Sequence, residues 1–156
     1  MKYDTCVSLG TWCGVAEQLK HNCPSRHRSG FFDWLFTPFA SIGKLVRDDF
    51  TDVFNINNFS NRNGYTVDDV KYGISYHHDF TRKDDVITSG AIDAEYDGLK
   101  SKYAHKVAKW FETVNSGKYV LYVIGFTKNL GLRPEGPSKT SCQSLFLAYP
   151  VKADTH

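Results

Sequence analysis

The chain has 156 residues, a formal net charge of +2, 41% hydrophobic and 15% aromatic residues. This suits one domain with a real core, and the small charge argues against a dedicated nucleic-acid binder. No apolar run approaches the roughly 20 residues of a membrane helix, and Met1-Lys2-Tyr3-Asp4 lacks the pattern of a secretory leader, so no membrane partner and a cytoplasmic location are expected.

The cysteines Cys6, Cys13, Cys23 and Cys142 make no CxxC pair, and reduced thiols are expected. Residues 3–9 read as a buried strand ended by Gly10. Thr11 offers an N-cap hydroxyl to a helix that runs to about Asn22, where Cys23-Pro24 stops it. Val15, Ala16 and Leu19 fall on one face of that helix; Glu17, Gln18 and Lys20 fall on the other. Cys13 lands near the second helical position. Free N–H groups and the positive end of the helix dipole there favour thiolate over thiol. The same position also suits a small apolar residue tucked under a helix start.

Residues 26–36 form an aromatic-rich loop carrying Arg26, Arg28 and Asp33. Its basic pair suits a substrate carboxylate or phosphate, solvent, or Asp33 itself. Thr37-Pro38 marks a helix start, with Phe39, Ile42, Leu45, Val46 and Phe50 at helical spacing. The asparagine-rich residues 55–63, closed by Gly64, read as a surface loop. Residues 71–80 alternate, which puts Tyr72, Ile74, Tyr76, His78 and Phe80 on one apolar face, with His77 and Asp79 pointing away.

Residues 82–90 read as a turn or loop. The longest helix is expected from 93 or 94 to 114, with a stripe of Tyr96, Leu99, Tyr103, Val107, Trp110, Phe111 and Val114. Asn115-Ser116-Gly117 ends it. Residues 118–126 are the strongest strand. Beyond 127 the pattern weakens, with a short strand at 144–149. The order predicts an α/β chain of the α+β kind, a single domain with helices covering a small sheet. Residues 1–126 are expected to carry the function. Residues 127–156 are a diverged end, either part of the same domain or partly disordered.

Three motifs in order resemble a bacterial domain family described as papain-like cysteine peptidases. Ser8-Leu9-Gly10 through Cys13, then Leu19-Lys20, resembles its SLG-x-x-C opening. Arg26, Ser29, Phe32, Asp33 and Trp34 resemble its R-x-x-S-x-P-F-D-W block, with Phe31 where the family has proline. Asp49-Phe50 follows at the family's distance, and His78-Asp79-Phe80 matches its H-D-F triplet. Lys102-Tyr103 resembles a further segment, without the arginine pair that follows in the family. The resemblance spans roughly residues 5–124.

The resemblance implies a thiol hydrolase. Cys13 would attack, and His78 would serve as base and then acid. A third group would orient the histidine, and Asp33, in a loop of its own, suits that role better than Asp79. A cysteine at a helix start facing a strand histidine is the papain-like arrangement. No glutamine precedes Cys13, so its N–H, with Trp12 or the Ser8 hydroxyl, would serve the oxyanion. Trp12, Arg26, Arg28, Ser29, Trp34 and Asp79 would shape the pocket for a peptide or small-molecule substrate.

Two other constellations deserve weighing. His21, Cys23 and His27, with His77 or His78, offer zinc-type ligands. The H-x-C-x-x-x-H spacing is not a standard structural pattern, and surface histidines explain it better. No metal and no other cofactor is expected. Arg26, Arg28, Trp34 and several tyrosines would also suit an anionic nucleotide or sugar phosphate, although no phosphate loop is present. The alternative to a hydrolase is therefore a non-catalytic binding module for such a ligand, or a protein-interaction domain.

Overall fold

The computed structural model describes residues 3–61, 63–125 and 147–152, the last of these in backbone alone. Its strands divide into two sheets. In the first, β1 (Thr5–Ser8) runs parallel to β6 (Tyr119–Ile124), with Thr5 opposite Val120 and Ser8 opposite Val123. β7 (Leu147–Lys152) pairs antiparallel with the far edge of β6. β6 takes the centre because its run Tyr-Val-Leu-Tyr-Val-Ile is β-branched or aromatic at every position but Leu121. The parallel β1–β6 pair requires a long crossover, and that crossover holds the helices and the second sheet.

The second sheet has the order β2-β5-β4-β3, all antiparallel: β2 (Leu35–Phe36), β5 (Ile74–Tyr76), β4 (Val67–Asp69) and β3 (Phe59–Ser60). Three helices complete the fold among the described residues. α1 (Cys13–Asn22) buries Val15, Ala16 and Leu19, with Val15 and Leu19 packed beside Cys6 and Val123 of the first sheet. α2 (Phe39–Arg47) buries Ile42 and Leu45. α3 (Ser89–Val114) starts at a Thr88 cap whose hydroxyl accepts from the Ala91 N–H at 3.2 Å.

The larger core lies between α3 and the second sheet. Phe31 sits edge-on to Phe32, Phe50 and Tyr103, at centroid distances of 5.2, 4.9 and 5.5 Å. Tyr103 in turn meets Tyr76 edge-on at 5.4 Å. Full burial of one such side chain stabilises by roughly 1.5–3 kcal/mol, so the segment around residues 31–35 is held by its aromatics. The chain is α+β, as its element order predicts.

Several local expectations change. α3 begins at Ser89, earlier than 93, because Thr88 caps it. α2 begins after Pro38, which is itself the cap residue, and the Thr37 side chain does not cap. Thr11 does not cap α1 either; Trp12 occupies that position in extended conformation with no side-chain bond. The asparagine-rich loop contains structure: Asn55 caps a 3-10 turn at Ile56–Asn58, and β3 follows. The alternation over residues 71–80 is not one strand. Gly73 has φ +69°, a turn precedes Ile74, and the chain bends after Tyr76. His78 is consequently exposed rather than placed on the apolar face. Residues 144–146 of the expected last strand lie outside the described residues, and β7 covers 147–152.

Candidate active site

The turn from β1 into α1 is tight and strained. Gly10 and Thr11 both adopt left-handed backbone, at φ 75° and 85°. Gly10 is needed for packing as well, since a Cβ there would stand 3.0 Å from the Phe32 carbonyl oxygen and 3.2 Å from Thr37 Oγ1. The Gly10 N–H donates to Ser8 Oγ at 3.1 Å, which engages the buried Ser8 hydroxyl inside the turn. Cys13 is the first residue of α1, a half-buried free thiol. First-turn N–H groups have no intrahelical acceptor, and no side chain caps them here.

Trp12 folds back over this helix start. A Cβ at Gly14 would come within 2.7 Å of the Trp12 ring, and one at Gly125 within 3.0 Å of its Nε1. The two glycines therefore make the slot in which the indole lies, with Nε1 buried and without a hydrogen-bond partner among the described residues. Six residues upstream of Trp12, Cys6 is a contrasting thiol. It is 1% exposed, and burial pushes its pKa up to about 12.

Opposite the Gly10 turn is the loop that carries Asp33 and Trp34. Asp33 is buried, and its Oδ2 accepts from the Gly30 N–H at 3.1 Å and lies 3.3 Å from His27 Nε2. His27 Nδ1 faces the Cys6 carbonyl at 3.4 Å, and a parallel bridge pairs His27 with Cys6. His27, not His78, is thus the histidine that Asp33 meets. Trp34 takes φ 68°, a second strained non-glycine residue. Its exposed ring meets His78 edge-on at a centroid distance of 6.4 Å.

His78 continues into two neighbours with different environments. His77 lies 4.8 Å away, ring to ring, and its pKa is lowered first by desolvation and then by His78 and Arg82. Asp79 turns inward, accepting from the Tyr103 hydroxyl at 3.0 Å and from Lys102 Nζ at 2.5 Å. This anchors the His78 segment to α3, and burial together with Asp79 pushes the Tyr103 pKa upward.

The structure thus brings Trp34 to His78, and Gly10 to the Phe32–Thr37 stretch. It does not bring Cys13 Sγ into a hydrogen bond with any histidine among the described residues. Arg26 lies over the Tyr3 ring at 5.0 Å, and the Ser29 carbonyl accepts from Lys109 Nζ at 2.9 Å. Arg28 is exposed. His21, Cys23 and His27 are not assembled: Cys23 faces the Tyr3 hydroxyl at 3.8 Å, and His27 is committed to Asp33. Among the described residues no group of three metal-ligating side chains occurs. No described helix is long and apolar enough to cross a membrane.

The residues that the sequence reading passed over are His27, as a structural partner of Asp33, and Lys106. Nothing periodic marks His27. Lys106 carries a signal, because it lies three residues beyond Tyr103 and seven beyond Leu99, on the helix face that these two bury. Comparisons with curated proteins and with solved structures yield no significant match. A family model does match, across residues 4–130. The span takes in the Cys13 turn, the Asp33–Trp34 loop, the His78 segment and the long helix, so the chain belongs to the family described as "Putative papain-like cysteine peptidase (DUF1796)".

Proposed function

We propose that the protein is a cysteine hydrolase or peptidase with Cys13 as nucleophile and His78 as base. The observation that carries this reading is the meeting of two strained turns. Gly10-Thr11 leads directly to Cys13, and Trp34 touches His78, while Gly10 packs on the loop that bears Trp34. Strain of this kind, on the order of 1–3 kcal/mol per residue, persists where the surroundings enforce it and is concentrated at functional sites.

In the proposed reaction the Cys13 sulfur attacks a carbonyl carbon, and His78 takes the thiol proton and returns it to the leaving group. Water then hydrolyses the acyl-enzyme, with His78 again as base. The Val15 N–H donates to the Trp12 carbonyl at 3.3 Å, which leaves the Cys13 and Gly14 N–H groups of the first turn of α1 as the donors available to the oxyanion. Asp33 acts through the loop: its bonds to His27 and the Gly30 N–H fix the stretch that presents Trp34. The exposed Trp34 ring forms one wall for a substrate.

The test is hydrolysis of peptide, amide and thioester substrates by the wild type, Cys13→Ala and His78→Ala. Both variants are expected to lose activity with unchanged circular dichroism. Alkylation of Cys13 by iodoacetamide, followed by mass spectrometry, should slow in His78→Ala. Full activity in both variants would end the mechanism.

A further inference from the structure

The loop after α1, β1 and the C-terminal half of α3 line an open cavity of about 270 Å³. Five cations line it: Arg26, Arg28, Lys106, Lys109 and Lys118. Two carboxylates oppose them, Asp4 and Glu112, and Asp4 already accepts from the Tyr119 N–H at 3.0 Å. Neither Cys13 nor His78 is part of this lining, so the cavity is separate from the proposed nucleophile and base.

Lys106 is the informative residue. It is 8% exposed, on the buried face of α3, and among the described residues it has no hydrogen bond and no ion pair. Its one close neighbour of interest is the Tyr103 ring, 4.8 Å from Nζ. Desolvation, and after it the neighbouring Lys102, lower its pKa, against the opposing charges of Asp33 and Asp79 from beyond ion-pair distance. A buried ammonium is unfavourable unless something compensates it. Asp33 Oδ2 faces His27 and the Gly30 N–H while its Oδ1 has no hydrogen-bond partner among the described residues, and Asp79 is engaged by Lys102 and Tyr103. Neither carboxylate comes within ion-pair distance of Lys106, so among the described residues its ammonium has no directly paired anion.

We propose that this cavity binds a small oxyanion, the phosphate or carboxylate group of a polar metabolite, with Lys106 as its buried charge and Arg28 and Lys109 as its outer donors. Lysine supplies a point charge and arginine a planar fork, and both oxyanion types accept this combination. Lys109 is already steered by its bond to the Ser29 carbonyl. Trp110 and the Thr113 hydroxyl offer the rest of such a molecule an aromatic wall and a polar contact.

Isothermal titration with inorganic phosphate, pyrophosphate and succinate tests the site, using both wild-type protein and Cys13→Ala. Saturable binding of at least one of them is expected, equal in the two proteins and weaker at high salt. Preference for the phosphates or for succinate identifies which oxyanion the site takes. Lys106→Met keeps the unbranched stem and removes the charge, and it should weaken binding roughly 10- to 100-fold, the worth of one hydrogen bond to a charged group. Arg28→Gln, at an exposed position with no part in the core, should also weaken binding. No saturable binding at millimolar concentration overturns the proposal, as does binding that neither variant changes. Because Cys13→Ala is measured alongside, failure of the hydrolase reading leaves this test intact, and the reverse also holds.

Discussion

His27 and His78 flank the same loop in opposite surroundings. The His27 side chain is 7% exposed, clamped between the Asp33 carboxylate and the Cys6 carbonyl, both fixed by the first sheet or the buried loop. His78 is exposed, and its described neighbours are the rings of Trp34 and His77. A ring with both nitrogens engaged in a buried setting holds structure together. One with free nitrogens at the surface can exchange protons with a substrate. The pair also divides two adjacent residues between them: Asp33 faces inward to His27, while the next residue, Trp34, faces outward to His78.

The largest effect is expected from exchanging the two roles. His78→Ala should reduce kcat/KM by roughly 10²- to 10⁴-fold, the usual worth of a general base, with an unchanged melting temperature. His27→Ala should act chiefly on stability, costing about 1–3 kcal/mol because it leaves the buried Asp33 carboxylate with the Gly30 N–H as its one remaining partner among the described residues. Chemical denaturation beside steady-state kinetics reads both quantities. If His27→Ala removed activity at full stability and His78→Ala did not, His27 would be the base and the comparison would invert.

A smaller effect tests the ground on which Cys13 stands. Gly14→Ala would place a Cβ 2.7 Å from the Trp12 ring, so the indole must shift out of its slot. Overpacking of this kind costs typically about 1–3 kcal/mol, and the displaced Trp12 should be visible as a change in tryptophan fluorescence. Gly98→Ala is the control, because nothing lies within 4 Å of a Cβ there and helix propensity alone favours alanine. Equal destabilisation by both would show that Trp12 does not depend on Gly14.

Local signals made part of this site legible. The glycine terminator and the apolar face of Val15, Ala16 and Leu19 place Cys13 at a helix start, and that is where it stands. Alternation over residues 71–80 misleads, because period-two hydrophobicity does not report backbone dihedrals. Gly73 at φ +69° and the bend after Tyr76 confine β5 to three residues and release His78 to the surface. Asp33 and His27 meet through a bridge between His27 and Cys6, separated by 21 residues, and no local pattern encodes such a pairing. The inward turn of Asp79 follows from Tyr103 on α3, a contact 24 residues away. Lys106 was readable from its place in the helical stripe, whereas the cavity it lines required three elements to be brought together.

The smallest effect concerns protons at the exposed end of the comparison. Desolvation lowers the His77 pKa below its ordinary 6.5, and the neighbouring His78 and Arg82 lower it further. The unfolded chain therefore takes up this proton at higher pH than the folded protein does. Stability falls as pH drops through 6.5 toward the folded value, and no contribution remains above that window. Arg82 is held in place, since Nη2 donates to the His77 carbonyl at 2.6 Å and to the Tyr65 carbonyl at 2.9 Å. His78→Ala removes one of the two cations and leaves the other, so His77 should titrate at higher pH in that variant without returning fully to the ordinary value. Proton NMR of the imidazole Cε1–H resonances measures this directly. A His77 midpoint identical in wild type and variant would mean that the two rings are electrostatically independent. His78 would then be free to change charge during a reaction cycle without disturbing its neighbour. A midpoint that moves instead means that charge on His78 reaches His77 across the 4.8 Å between their rings, so the two imidazoles and Arg82 form one electrostatic cluster at this surface.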